Sequence, residues 1–154
     1  MNLEEYKGVY VFAQQVDNEV SSIALELIGK GKDLAKDLNT TVTAVLVGSN
    51  VMGLTEILGE YGADRVIVVD DPELKEYRTE PYTHAIASVI KEFKPEIFLI
   101  GATAIGRDLG PRVCARIHTG LTADCTKLDI GDFPMNPVPG RETKHNQLLM
   151  TRPA

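Results

Sequence analysis

The sequence predicts an α/β fold: a three-layer α/β/α sandwich around a doubly wound, mainly parallel sheet. Three observations predict it. Short apolar runs that read as strands buried on both faces occur at Gly8–Ala13, Thr41–Gly48 and Ile97–Gly101. Stretches with an apolar residue every three or four positions separate them, which is the period of an amphipathic helix. Glycine, proline and polar residues punctuate the joints, so the rhythm is β-α-β-α-β-α-β-α-β.

The first strand is Gly8 to Ala13. Gln14 to Asn18 reads as a polar exit loop with cap-forming residues at its end. In helix one, Val20, Ile23, Ala24, Leu27, Gly31, Leu34, Ala35 and Leu38 form a core-facing stripe. Gly29 and Gly31 cost helix propensity, and a glycine on the packing face lets the helix approach the sheet closely. Thr41 to Gly48 is strand two. Helix two spans about Val51 to Tyr61, and Gly62 closes it. Arg65 to Val69 is strand three. A single helical turn fits the connection that begins Asp70-Asp71-Pro72-Glu73. Helix three is Tyr82 to Phe93, ended by Pro95, and strand four is Ile97 to Ile100. Helix four is about Arg107 to His118, and strand five about Ala123 to Leu128. The class is Rossmann-like, of the adenine nucleotide alpha hydrolase-like kind.

Residues 1–130 read as the α/β domain. Residues 131–154 read as an irregular extension of the same domain with a final strand at Gln147 to Arg152. The prolines between Gly131 and Gly140 rule out a helix there. A strand-like run stopped by Pro153-Ala154 looks cut, so a longer parent chain is expected.

At 154 residues, one domain can bury roughly 68–70% of its unfolded surface without staples. The net charge of -6, from 16 basic and 22 acidic residues, argues against nucleic acid or an anionic membrane as partner. No apolar run is long enough to insert in a membrane. The N-terminus carries no targeting pattern, and a cytoplasmic setting is expected. Cys114 falls in a predicted helix and Cys125 on a predicted strand. Without metal-ligand spacing they read as buried thiols.

The turn from Gly101 to Gly106 delivers a strand end to a helix N-terminus, where open α/β sheets place ligands. Its free N–H groups could hold an anion, with Arg107 adding charge. Its glycines match neither a dinucleotide fingerprint nor a phosphate loop, and a plain tight turn with no ligand is the favoured reading. Asp108 and Arg112 stand four apart, as do Arg112 and Arg116. They read as a solvated ion pair or as a basic face for a partner. His84, His118 and His145 accompany no nucleophile and read as structural or surface residues. Thr119 to Thr126 is unusually polar for the entry to a buried strand. Its hydroxyls either satisfy loop backbone or face a ligand or subunit. The sequence contains no nucleophile elbow, paired carboxylates or metal cluster, and so no self-contained catalytic apparatus.

Four motifs carry a resemblance that covers the chain. They are Gly101-Ala-Thr, Gly106-Arg107-Asp108-Leu109-Gly110-Pro111-Arg112, Thr119-Gly120-Leu121-Thr122-Ala123-Asp124-Cys125-Thr126, and Thr151-Arg152-Pro153-Ala154. With the opening Gly8-Val9-Tyr10-Val11-Phe12, they resemble the N-terminal domain of the electron transfer flavoprotein alpha subunit. That resemblance implies an electron-carrier component, not an enzyme alone. It implies a heterodimer with a beta subunit that takes electrons from acyl-CoA or other dehydrogenases through FAD. It places the principal FAD site in a C-terminal domain outside this chain. In members that resemble electron-bifurcating proteins a second FAD lies on the beta subunit, and there the resemblance implies that Arg152 approaches that flavin. Thr122 is the other candidate cofactor-binding residue. The alternatives are a stand-alone nucleotide-binding module similar to universal stress proteins, using the Gly101–Arg107 turn, and an amidohydrolase or ligase of similar topology, which no constellation of residues supports.

Overall fold

The computed structural model describes residues 2–133 and 144–153. Expectations that fall on 134–143, and on Ala154, lie outside them. Four parallel strands form the central sheet: β1 (Val9–Phe12), β4 (Val42–Gly48), β5 (Arg65–Asp70) and β6 (Ile97–Leu99). Their spatial order is β5-β4-β1-β6. The chain therefore winds outward from β1 to β5, then crosses back to β6 on the other side. The direction reverses between β1 and β6, which is the switch point of a doubly wound sheet. The expected three-layer class is observed.

The strands form where they do because both faces are covered. Every residue of β1 and β4 is buried. One face packs against α1 (Ser22–Leu38) and α2 (Thr55–Glu60), with Val9, Val11, Ala44 and Leu46 meeting Ile28, Leu34 and Leu58. The opposite face packs against α3 (Thr79–Phe93) and α4 (Ala104–Ile117), with Phe12, Val45 and Val47 meeting Ile86, Val89 and Leu109. Fully burying a side chain such as Leu46 stabilises by about 1.5–3 kcal/mol.

The buried stripe of α1 is Ala24, Ile28, Gly31, Leu34 and Ala35, so Ile28 takes the place expected for Leu27. A Cβ on Gly31 would stand 3.3 Å from Val11 and 3.4 Å from Val9, so this glycine does set the close approach. Gly29 is exposed and would meet nothing, so the packing reason does not extend to it. Helix two is a 3₁₀ turn, Met52–Leu54, running into the short α2, and Gly62 follows it at φ +119°. The expected single turn after β5 is Pro72–Leu74.

Several boundaries differ from the sequence reading. The loop after β1 is a hairpin, β2 (Gln15–Val16) and β3 (Glu19–Val20). Its two turn residues, Asp17 and Asn18, both adopt positive φ, as a type I′ turn requires. They are spent on that turn, and Ser21 instead stands at the N-cap of α1. Helix α3 begins at Thr79 because Pro81 sits in its first turn, where its missing N–H costs nothing. Helix α4 begins at Ala104, capped by Thr103, and accommodates Pro111 in its interior. His118, not Gly120, takes the left-handed position at its end.

The fifth strand is not part of the parallel sheet. β7 (Lys127–Phe133) pairs antiparallel with β8 (Lys144–Thr151) in a separate ribbon. Leu128, Ile130 and Leu148 pack it onto the α1 face. β7 starts four residues later than expected, because Ala123 to Thr126 form the link into the ribbon, and Cys125 lies in that link.

Candidate functional site

At the switch point, the carboxyl ends of β1 and β6 are joined by side chains. The Thr103 hydroxyl donates to Gln14 Oε1 at 2.6 Å and accepts the Gly106 N–H at 3.0 Å. Gln14 is 8% exposed and Thr103 half-buried, so the bond is partly shielded from water. Gln15 Nε2 donates to the Val47 carbonyl, which closes the neighbouring strand end. A Cβ on Gly106 would lie 1.8 Å from the Gly101 oxygen, and one on Gly101 would lie 2.8 Å from Ile23. The turn needs glycine because strand end and helix are in contact. The anion site considered for this turn is thus partly claimed from within: Thr103 takes the Gly106 N–H, and its carbonyl takes that of Arg107. The sequence spacing of Thr103 before Gly106 carries the cap signal. Nothing local marks Gln14.

The Arg107 side chain does not turn toward that anion position. Its Nη2 lies 3.3 Å from Asp124 Oδ1, so the two motifs of the resemblance are tied by an ion pair. Leu121 packs 3.7 Å from the Cβ position of Gly110, and Cys114 Sγ donates weakly to the Gly120 carbonyl at 3.6 Å. The polar segment 119–124 is therefore laid along α4. Both thiols are half-buried, and burial pushes the Cys114 thiol up.

Asp108 corrects the expected pairing with Arg112. Its carboxylate accepts Thr79 Oγ1 at 2.5 Å and Tyr77 Oη at 2.6 Å. Those bonds, with a smaller contribution from the Arg112 charge, hold the carboxyl below its usual range. Burial, with Asp108 second, pushes the Tyr77 phenol up to about 12. Arg116 reaches Glu80 on α3 at 2.9 Å. These groups fasten α4 to the start of α3. Sequence spacing could not find Tyr77 and Thr79, because they stand about thirty residues from Asp108. His84 is exposed on α3, His118 caps α4, and His145 Nδ1 lies 3.0 Å from Asp132 across the ribbon.

At the ribbon's end the Thr126 N–H donates to the Thr151 carbonyl at 2.7 Å, and the Thr126 hydroxyl donates to the same oxygen at 3.3 Å. That oxygen precedes Arg152, so the arginine emerges beside the segment that carries Thr122. Arg152 is exposed and Thr122 half-buried. Among the described residues Arg152 has no ion pair. Among the described residues no cluster of His, Cys, Asp and Glu could hold a metal ion.

The sequence matches the family described as the electron transfer flavoprotein domain over residues 9–153. The chain belongs to that family. It is 48% identical over all 154 of its residues to Protein FixB of Clostridium saccharobutylicum, covering 42% of that protein. It is 47% identical over 154 residues to the electron transfer flavoprotein subunit alpha of Clostridium acetobutylicum, covering 43% of it. Over 125 residues, 81% of the chain, it is 42% identical to the subunit LctC of the NAD(+),ferredoxin lactate dehydrogenase of Acetobacterium woodii, covering 30% of that subunit. This electron transfer flavoprotein chain thus spans less than half the length of these relatives. Among its described residues, no helix is long and apolar enough to cross a membrane.

Proposed function

We propose that this chain is the part of an electron transfer flavoprotein alpha subunit that docks a cytoplasmic beta subunit and lines one side of a flavin site. The single observation that supports the reading is the pair of Thr126–Thr151 hydrogen bonds, which anchors the residue before the exposed Arg152 at Thr126, the end of the Thr119–Thr126 segment. The complete heterodimer carries electrons from acyl-CoA or other dehydrogenases through FAD, whose principal site lies outside this chain. FAD supplies the redox chemistry when bound. Arg152 contributes a permanent positive charge, which favours the anionic reduced ring over the neutral oxidised one. Thr122 offers a hydroxyl donor on the same wall. Alone, the chain transfers nothing.

Replacing Arg152 with Ala in the complete heterodimer tests this. The potential of the flavin nearest this domain should fall, with the heterodimer intact by size-exclusion chromatography. An unchanged potential removes Arg152 from the site. The rival, a stand-alone nucleotide-binding module, would use the Gly101–Arg107 turn. Thr103 and Gln14 fill that position with their own hydrogen bonds, which weighs against it. Retention of ATP or AMP by the purified chain would favour the rival.

A further inference from the structure

The sheet is covered unevenly at one edge. β4 is buried at every residue, yet the next strand out, β5, is only half-buried throughout Val66–Val69. Strands of parallel sheets are normally sealed on both faces by helices. Over β5, α2 does this on one face. On the other face α3 lies over β1 and β4, and beside it runs an open groove of about 570 Å³. Ile67, Val69, Leu74 and Phe93 give the groove an apolar floor. Asp71, Glu73 and Glu92 stand along it, and neither lysine nor arginine lines it. The groove follows α3 from Pro81 to Phe93, about 20 Å at helical rise.

We propose that this groove is a docking site for an amphipathic helix with basic flanks, donated by another polypeptide. Three features select that occupant. The vacant position is that of a missing helix in a helix layer. The length suits four or so turns laid alongside α3. The charged residues that line the groove are Asp71, Glu73 and Glu92, with the exposed His84, while Arg65 stacks on Phe93 at one end and Arg78 reaches the Glu73 carbonyl at the other. Along the lining itself, lysine or arginine beside an apolar stripe complements the carboxylates and a like-charged surface is repelled. A second copy of this chain, at net charge -6 and bearing the same carboxylates, is disfavoured by the same argument. The groove and the Arg152 ribbon lie on opposite faces of the sheet, so the proposal stands apart from the flavin reading.

Methyl-resolved NMR of the 154-residue chain tests it. One probe is a helical peptide of about 18 residues with leucines at three- and four-residue steps and lysines elsewhere. Its twin carries glutamates in place of the lysines. The lysine peptide should shift the Ile67, Val69 and Val89 methyls saturably, and the twin should not. The double variant Glu73→Lys, Glu92→Lys changes only exposed residues and should weaken binding about tenfold, with its melting midpoint confirming the fold. Absent shifts, shifts scattered over the surface, or equal binding of the twin would overturn the proposal. Concentration-dependent shifts of the same methyls without peptide would assign the groove to a second copy, and would overturn it too.

Discussion

Arg107 and Asp124 meet at 3.3 Å, joining the first turns of α4 to the link that feeds the β7–β8 ribbon. Their side chains are 67% and 55% exposed, so water screens the pair. Its use is to set position. Asp124 is also one of the few non-glycine residues with positive φ, at 53°. Asparagine keeps that backbone preference and loses the charge. Asp124→Asn should therefore move the unfolding free energy by less than about 0.5 kcal/mol in urea titration. A loss several times larger would mean the ion pair holds more than its exposure allows.

The Thr103–Gln14 bond is better shielded, because Gln14 is buried and Thr103 half-buried. Thr103→Val removes the N-cap acceptor of α4 and leaves the Gln14 amide oxygen without its donor. The two losses together should destabilise by about 2–4 kcal/mol, read from the denaturant midpoint at constant m-value. Thr103→Ser should recover most of it.

Three glycines should separate cleanly. Gly106→Ala puts a methyl 1.8 Å from the Gly101 carbonyl, backbone that cannot swing away, and should cost about 3 kcal/mol or more. Gly31→Ala presses on Val11 and Val9 and should cost less, as those side chains yield by tenths of an ångström. Gly29→Ala meets nothing on an exposed helix face and should stabilise by about 0.5–1 kcal/mol. Thermal melts of the three variants give the order.

The Asp108 cluster predicts a pH dependence at both ends. Asp108 titrates below its unfolded value when folded, so its contribution is present above the unfolded pKa and fades as pH falls through the folded one. Tyr77, raised to about 12, contributes stability that is complete below its unfolded pKa and is lost as pH rises between about 10 and 12. Tyr77→Phe should remove one late component from the tyrosinate absorbance titration and flatten the alkaline loss of stability. It should also move the Asp108 titration upward, because one hydrogen bond to the carboxylate is gone.

The alternation of buried runs and helical stripes was legible in the sequence because it is local. A strand sealed on both faces must be apolar along its length, as Val42 to Val47 nearly is, and a helix on a sheet must repeat Ala24, Ile28, Gly31 and Leu34. The motifs that mark the family were legible for the same reason, as was the candidate position of Arg152. What tertiary structure alone decided is which distant groups meet. Gln14 and Thr103 stand 89 residues apart, and Asp108 finds Tyr77 and Thr79 across two helices in preference to Arg112 one turn away. The fifth strand, expected over about Ala123 to Leu128, begins only at Lys127 and is not a member of the sheet. Its own residues fix an extended backbone, but its pairing depends on β8 offering hydrogen bonds and on α1 offering an apolar surface for Leu128 and Ile130. Such choices are settled by competition among long-range contacts, and no local window of sequence contains the competitors.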